Sequence, residues 1–278
     1  MAALAFFQSA AHENDPVQEI AFLEHRYGGR LGVSAMEAGS SKRILHRGHE
    51  RFAMCSTFKF LAAAAVLARV DEPRDTLRRR VAYGGRDLLD YSPVTRANLK
   101  QGSMALGGLC AAAVEDSDNT AGNLLLASIG GPAGLTRYVR SLGDRVTRLD
   151  RIEPDLNTAK PGDVRDTTSP AAMTSLMDTI LLGDVLAPGS RDLLEHWMRA
   201  TRTGAKRLRA SMPSTWTAGD KTGSGGNGTC NDIAIARPPD RPPLLAAVFY
   251  TQSPSAFDAR ERVLADVGRI IVRSLQGV

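Results

Sequence analysis

The hydrophobic pattern of this chain changes from strand-like to helix-like and back again, and this order limits the folds it can adopt. A helical pattern over residues 16–26 precedes strand patterns over residues 31–38 and 43–46. Helical segments broken by Gly and Pro then fill the middle of the chain, over residues 58–70, 104–115, 120–129, 135–142, 170–182 and 190–200. Strand patterns return over residues 215–221, 230–237 and 244–251, and an amphipathic helix over residues 255–275 follows.

Strands at both ends of the chain are most simply combined in one sheet. We predict an α/β (α+β) fold in which both chain ends form an antiparallel sheet covered by the first and last helices, with an all-helical domain inserted. The predicted α/β domain comprises residues 12–48 and 201–278, and the helical domain comprises residues 49–200. A cleft between the two domains is the expected ligand site.

Composition indicates a globular protein and argues against a nucleic-acid-binding protein or a membrane-spanning one. The 278 residues, 43% hydrophobic and 23% charged, are typical of a globular protein with one large or two modest domains. The net charge of +5 suits a small anionic substrate, and with 5% aromatic residues and no basic block nucleic-acid binding is not expected. No run of about 18 apolar residues occurs, so no membrane-spanning helix is predicted.

Cysteines and histidines show no metal-binding pattern. Cys55, Cys110 and Cys230 form no C-x-x-C pair, and the five histidines form no H-E-x-x-H motif or dense cluster. We therefore expect neither a metal site nor a cofactor. Residues 1–11 are apolar and end in small residues but lack a basic start, so they are either a truncated secretory signal segment or a frayed apolar end.

The strongest chemical motif is Ser-x-x-Lys at residues 56–59, at the start of the helix predicted over residues 58–70. Residues three apart share a helix face, so the Lys59 amine can reach the Ser56 hydroxyl, which needs a proton acceptor to become a nucleophile. The N-terminus of the helix would also stabilise an oxyanion. The alternative is a capping serine beside a surface lysine. The helix is apolar nearly all round, which predicts that Lys59 is buried.

Two further motifs supply polar groups. Ser-Asp-Asn at residues 117–119 lies at a break between two helices. There it could donate to a substrate or relay a proton, or it could simply cap the next helix. Lys-Thr-Gly at residues 221–223 lies at the end of a predicted strand and precedes Ser224. It could bind an anionic group, or it could form a hairpin turn.

Glu153 lies in an irregular stretch over residues 148–166. A loop of this length inside a compact domain is usually functional or disordered. Ion pairs could hold it closed, formed by Arg148, Arg151, Arg165, Asp150, Asp163 and Asp166. Glu153 is then either a functional carboxylate or one more member of that network.

The three motifs in this order resemble the signature of class A β-lactamases and penicillin-binding proteins. The similarity to class A β-lactamases extends to segments 91–95, 118–125, 162–168 and to Asp220, and covers nearly all of the chain after about residue 16. It implies hydrolysis of the β-lactam amide of penicillin- and cephalosporin-type antibiotics, and hence antibiotic resistance. Penicillin-binding proteins generally lack the carboxylate that matches Glu153, so the resemblance favours turnover over trapping.

The resemblance also implies the catalytic roles. Ser56 is the nucleophile, and Lys59, or Glu153 acting through water, accepts its proton. The backbone N–H groups of Ser56 and Ser224 would bind the oxyanion, and Ser117 would pass a proton to the departing ring nitrogen. Glu153 would activate the water that hydrolyses the ester.

Other matching positions imply binding roles. The expected substrate-binding residues are Asn119, Asn157, Lys221, Thr222, Ser224, Arg207 and Tyr91. Some relatives keep a carboxylate-binding arginine at the position of Cys230, and others keep it at the position of Arg207. Asn123 would brace the Glu153 loop, and a cis peptide is expected before Pro154.

Disulfides found in some relatives are not expected, because the partner positions of Cys110 and Cys55 hold Ala63 and Gly225. A bond between Cys55 and Cys230 is left open.

Two other functions compete with hydrolysis: cleavage of cell-wall D-Ala-D-Ala peptides, and a β-lactam sensor that stays acylated. Glu153 argues against the first, and the lack of a membrane segment against the second. The expected partners are β-lactam substrates and inhibitors, with no nucleic acid and no membrane span. The family's targets imply a periplasmic or secreted protein, and we expect a monomer.

Overall fold

The computed structural model describes residues 15–277, and the expected signal segment at residues 1–11 lies outside them. The α-helices are α1 (Pro16–Tyr27), α2 (Phe58–Asp71), α3 (Pro93–Ala97), α4 (Leu106–Glu115), α5 (Asn119–Ser128), α6 (Gly131–Ser141), α7 (Pro170–Leu181), α8 (Pro188–Arg199) and α9 (Phe257–Gln276). The strands are β1 (Arg30–Glu37), β2 (Arg43–His46), β3 (Phe52–Ala53), β4 (Arg80–Ala82), β5 (Ser103–Ala105), β6 (Thr167–Thr168), β7 (Thr217–Gly225), β8 (Thr229–Arg237) and β9 (Leu244–Thr251).

Both ends of the chain form one antiparallel sheet, with the strand order β2-β1-β9-β8-β7. Helices α1 and α9 pack on one face, around apolar side chains such as Ile20, Val33, Val248 and Ile271. The predicted fold class is therefore confirmed. No helix among residues 15–277 has the length and hydrophobicity needed to cross a bilayer.

The opposite face of the sheet is covered by α7 and α8, which the sequence patterns assigned to the helical domain. Met173 and Trp197 of these helices join the same apolar core as Phe249 of β9 and Phe60 of α2. The core of the helical region is therefore continuous with one face of the sheet. The domain boundaries near residues 48 and 200 stay a prediction.

The sequence patterns misplaced several element ends. Strand β7 begins at Thr217 and continues to Gly225, so Lys-Thr-Gly lies inside the strand and the turn follows over residues 226–228. The glycines weaken the strand pattern, but pairing with β8 along the whole length of β7 outweighs that propensity. Helix α4 begins at Leu106 because residues 103–105 pair with β4. The two-stranded pairs β3–β6 and β4–β5 and helix α3 are too short to show a period.

Candidate active site

Ser56 and Lys59 lie where a short 3₁₀ turn, Cys55–Thr57, leads directly into α2. Lys59 Nζ donates a hydrogen bond to Ser56 Oγ at 3.0 Å, as their spacing predicts. Helix α2 is buried from Phe58 to Leu67, which explains why it is apolar nearly all round. Lys59 is therefore not a surface lysine.

The Lys59 ammonium group is 0% exposed and is held by oxygen atoms. Besides Ser56, it contacts the Ser117 carbonyl oxygen at 2.8 Å, Asn119 Oδ1 at 2.7 Å and Glu153 Oε1 at 3.1 Å. Burial lowers the pKa of Lys59, and the charge of Glu153 opposes this shift. A lysine whose charged form is destabilised in this way can accept a proton from a neighbouring hydroxyl.

The Ser-Asp-Asn segment is held by its central carboxylate. Asp118 is fully buried and accepts hydrogen bonds from the backbone N–H and the hydroxyl of Thr95 at 2.9 Å each. It also caps α5 by accepting the N–H of Ala121 at 2.8 Å. The capping role thus belongs to Asp118, which leaves the side chains of Ser117 and Asn119 directed at the cleft, where both line the cavity.

Lys221 of β7 lies on the other side of Ser117. Its Nζ donates to Ser117 Oγ at 3.0 Å and to the Thr222 carbonyl oxygen at 2.9 Å. Burial, and secondarily the nearby charge of Lys59, lower the pKa of Lys221 to about 7. The site therefore holds two buried lysines that both contact Ser117, Lys221 at its hydroxyl and Lys59 at its carbonyl oxygen.

Strand β7 passes close to the turn that carries Ser56. A Cβ atom on Gly223 would lie 2.7 Å from the Met54 carbonyl oxygen, closer than real Cβ contacts, so only glycine permits this approach. The next residue, Ser224, is exposed in the cleft and lines the cavity together with Thr222. Close approach of the two elements brings the backbone of Ser224 beside the turn that carries Ser56.

Glu153 reaches the same point from the loop that precedes α7. Asn123 fixes its backbone through two hydrogen bonds of 2.9 Å, one to the Glu153 N–H and one to its carbonyl oxygen. Glu153 Oε1 accepts the Ser56 hydroxyl at 3.2 Å, and Oε2 accepts the side-chain amide of Asn157. The peptide between Glu153 and Pro154 is cis. The carboxylate is therefore a buried member of the site.

Ion pairs close this loop. Asp166 accepts the backbone N–H of Arg151 at 2.8 Å and pairs with its Nε at 2.5 Å. Arg165 contacts Asp163 at 2.9 Å, and its hydrogen bonds lower the pKa of that carboxyl to about 2. Arg148 pairs with its neighbour Asp150. These pairs hold the loop without using Glu153, which leaves its carboxylate for the cleft.

Arg207 is buried at one end of the cleft. Its guanidinium donates to Ser224 Oγ at 2.9 Å, the Asn231 carbonyl oxygen at 2.7 Å and Glu261 Oε1 at 3.2 Å. Tyr91, 60% exposed, lines another part of the same cavity.

The cavity has a volume of about 520 Å³. Four of its lining residues were not expected from the sequence: Arg202, Thr203, Phe257 and Glu261. They come from the start of α9 and the segment before Arg207, and no motif marks them, because only the packing of these elements brings them to the cleft.

Cys55, Cys110 and Cys230 are buried free thiols, so the open question of a Cys55–Cys230 bond is answered against it. A Cβ atom on Gly225 would lie 2.7 Å from Cys55 Sγ, which shows that these two positions do face each other. Within residues 15–277 no group of three or more His, Cys, Asp or Glu side chains is placed to hold a metal ion.

Comparisons with known proteins identify the family of this chain. The model of the beta-lactamase enzyme family matches residues 15–275. The chain is 44% identical to β-lactamase CTX-M-25 of Escherichia coli, over 96% of this chain and 92% of that protein. It is 46% identical to β-lactamase AST-1 of Nocardia asteroides, over 91% of this chain and 81% of that protein.

A solved class A β-lactamase of the last common ancestor of Gram-negative bacteria superposes with a TM-score of 0.91 and 56% identity. The superposition covers 93% of this chain and 98% of the ancestral one. Sequence, fold and site thus lead to the same family. The chain belongs to the β-lactamase enzyme family and is a class A serine β-lactamase.

Proposed function

We propose that Ser56 opens the β-lactam ring and becomes an acyl ester, as the first half of a hydrolysis that restores the enzyme. Its hydroxyl proton passes to Lys59 Nζ, 3.0 Å away, or to Glu153 Oε1, 3.2 Å away. The backbone N–H groups of Ser56 and Ser224 stabilise the tetrahedral oxyanion. The ester then forms between Ser56 Oγ and the former ring carbonyl carbon.

The proton reaches the departing ring nitrogen through Ser117. Its hydroxyl contacts Lys221 Nζ at 3.0 Å, and its carbonyl oxygen contacts Lys59 Nζ at 2.8 Å. The Ser117 hydroxyl can give its proton to the nitrogen, and the proton that Lys59 took from Ser56 can restore it. The bond between carbonyl carbon and nitrogen breaks as the nitrogen takes up the proton.

Glu153 then acts as the general base for hydrolysis of the ester. A water hydrogen-bonded to its carboxylate would lie within reach of the Ser56 ester carbon, and Asn157, which contacts the same carboxylate, would provide a second polar group beside it. The proton of that water moves to Glu153 and then to Ser56 Oγ as the ester bond breaks. Asn123 holds the carboxylate at this position.

Positive charge at the β7 end of the cleft binds the substrate carboxylate. Strand β7, at the edge of the sheet, carries Lys221, Thr222 and Ser224. Arg207 donates a hydrogen bond to Ser224 Oγ. Asn119 lies opposite, fixed by its contact with Lys59, and would bind the side-chain amide of the antibiotic. Tyr91 would cover the exposed side of the bound ring.

The observation that carries this proposal is the buried group formed by Ser56, Lys59 and Glu153, in which each pair of side chains is within 3.2 Å. A penicillin-binding enzyme or a β-lactam sensor needs the first two, but its ester persists because no carboxylate activates water against it. The buried Glu153 therefore favours repeated turnover.

The test is hydrolysis of a chromogenic cephalosporin by the purified protein. We expect many equivalents to be consumed, with activity lost in Ser56→Ala and kept in Ser175→Ala, which removes an exposed hydroxyl outside the site. If the protein consumes one equivalent of the cephalosporin and hydrolysis then stops, turnover is refuted. Release of D-Ala from a cell-wall peptide at a comparable rate would favour the peptidase instead.

We propose penicillins, cephalosporins and β-lactamase inhibitors as the ligands of the cleft, and a monomer exported to the periplasm or secreted as the working form. The cavity of about 520 Å³ suits a molecule of that size. Export places the enzyme where these antibiotics reach their targets.

A further inference from the structure

A second cavity, of about 540 Å³, lies between the C-terminal half of α2 and helix α6. None of its lining residues lines the catalytic cavity. Its wall on the α2 side is made by Ala65 and Ala68, whose small side chains leave the space open, and Ile129 and Val185 add further apolar surface. An apolar body of modest size fits such a wall.

Two polar groups at this cavity lack hydrogen-bond partners. Arg69 Nε and the Tyr138 hydroxyl are both buried and unpartnered among residues 15–277. Buried polar atoms in folded proteins nearly always have a partner, so two unpartnered atoms at one cavity leave hydrogen-bonding capacity for a bound group. Burial raises the pKa of Tyr138, which keeps its hydroxyl protonated and able to donate.

The charge at the cavity is positive. Arg69, Arg74 and Arg137 all line it. Arg74 is paired with Glu72, whereas neither Arg69 nor Arg137 has a carboxylate within ion-pair distance in the described part of the chain. The donors that remain are two guanidinium groups and one phenol, and all of them would complement an anion.

Two further acidic side chains bear on this balance, and one of them, Asp75, interacts with Arg69 but is already paired with Arg79. The negative charge of Asp71 contributes to the raised pKa of Tyr138. Its carboxylate already accepts the Ala187 N–H at 2.8 Å and the Ser190 hydroxyl at 2.6 Å. With Asp71 and Glu72 both counted against the three arginines, the cavity keeps a net positive charge.

We propose that this cavity binds a small organic monocarboxylate with an apolar body, at a site separate from the β-lactam cleft. The carboxylate takes hydrogen bonds from Arg69 and Arg137, since a guanidinium matches a carboxylate with two parallel donors. The Tyr138 hydroxyl donates to the same group. The apolar body lies against Ala65 and Ala68.

The test is a titration of the purified protein with 3-phenylpropionate, followed by amide chemical shifts, with 3-phenylpropionamide as the uncharged control. We expect saturable shifts at Gly134 and Ser141, and much weaker binding of the amide. Arg137→Gln should weaken binding about tenfold, the usual effect of losing a hydrogen bond to a charged group. Tyr138→Phe should weaken it about fivefold.

Arg262→Gln is the matched control, because Arg262 is an exposed arginine on α9 and lines neither cavity. It should leave binding unchanged, and all variants should hydrolyse a cephalosporin at the wild-type rate, which shows that they are folded. Equal binding of acid and amide, undiminished binding by Arg137→Gln, or shifts confined to Ser117 and Ser224 would each overturn the proposal.

Discussion

Replacing Glu153 by glutamine separates the two halves of the proposed reaction. The glutamine side chain has nearly the same size as that of glutamate, and it can still accept the side-chain amide of Asn157 and donate or accept at Ser56. It cannot take a proton from water. Acylation through Lys59 should therefore continue, while hydrolysis of the ester should slow.

The size of the effect follows from the role. General base catalysis contributes about 10²–10⁴-fold, or roughly 3–5 kcal/mol of barrier. For an enzyme that turns over at about 10 s⁻¹, release would fall to about 0.1–0.001 s⁻¹, and the ester would persist for roughly ten seconds to ten minutes. Intact-protein mass spectrometry after a short acid quench should then show one bound antibiotic per Glu153→Gln molecule.

Asp155→Asn is the matched control, because Asp155 is an exposed carboxylate two residues further along the same loop. It should show no accumulated ester and near-normal turnover. Glu153→Gln that hydrolyses a chromogenic cephalosporin at the wild-type rate, with only free enzyme in the mass spectrum, would refute the assignment of the general base.

Three further perturbations test other parts of the site. Because the pKa of Lys221 is about 7, its positive charge is lost as pH rises through 7, so kcat/KM should fall there. Lys221→Arg keeps its charge, so the fall in kcat/KM should move to higher pH, and a pH profile that does not move contradicts the role of Lys221 in binding the substrate carboxylate. Gly223→Ala places a carbon 2.7 Å from the Met54 carbonyl oxygen and should lower the free energy of unfolding, measured in urea, by about 1–3 kcal/mol. Gly189→Ala adds a carbon in open space and should not lower it, so equal stability of the two variants would refute the close approach of β7 to the turn that carries Ser56. Asp166→Asn weakens the pair with Arg151 at 2.5 Å and should speed amide hydrogen exchange throughout the Glu153 loop, so unchanged exchange would show that other contacts close it.

Local patterns were sufficient to predict the order of the main elements and the chemistry of the motifs. The helical period predicted α2, and the three-residue spacing predicted the contact of Lys59 with Ser56, because both depend only on the geometry of one helix. The order of the motifs, together with Glu153, then indicated the family, which the comparisons confirmed.

What the patterns missed depends on contacts between residues far apart in the chain. Only pairing with β8 decides that β7 continues through Lys221 to Gly225, since the glycines there have little strand preference of their own.

The burial of Arg207 against Glu261, 54 residues away, and the position of Phe257 in the cleft follow from how α9 packs on the sheet. Spacing along the sequence determines which side chains can meet on one element, whereas the packing of separate elements determines which of them share a cavity. For that reason spacing alone predicted the contact of Lys59 with Ser56, and the family resemblance suggested the other proposed catalytic residues. The rest of the cleft and the second cavity needed the tertiary structure.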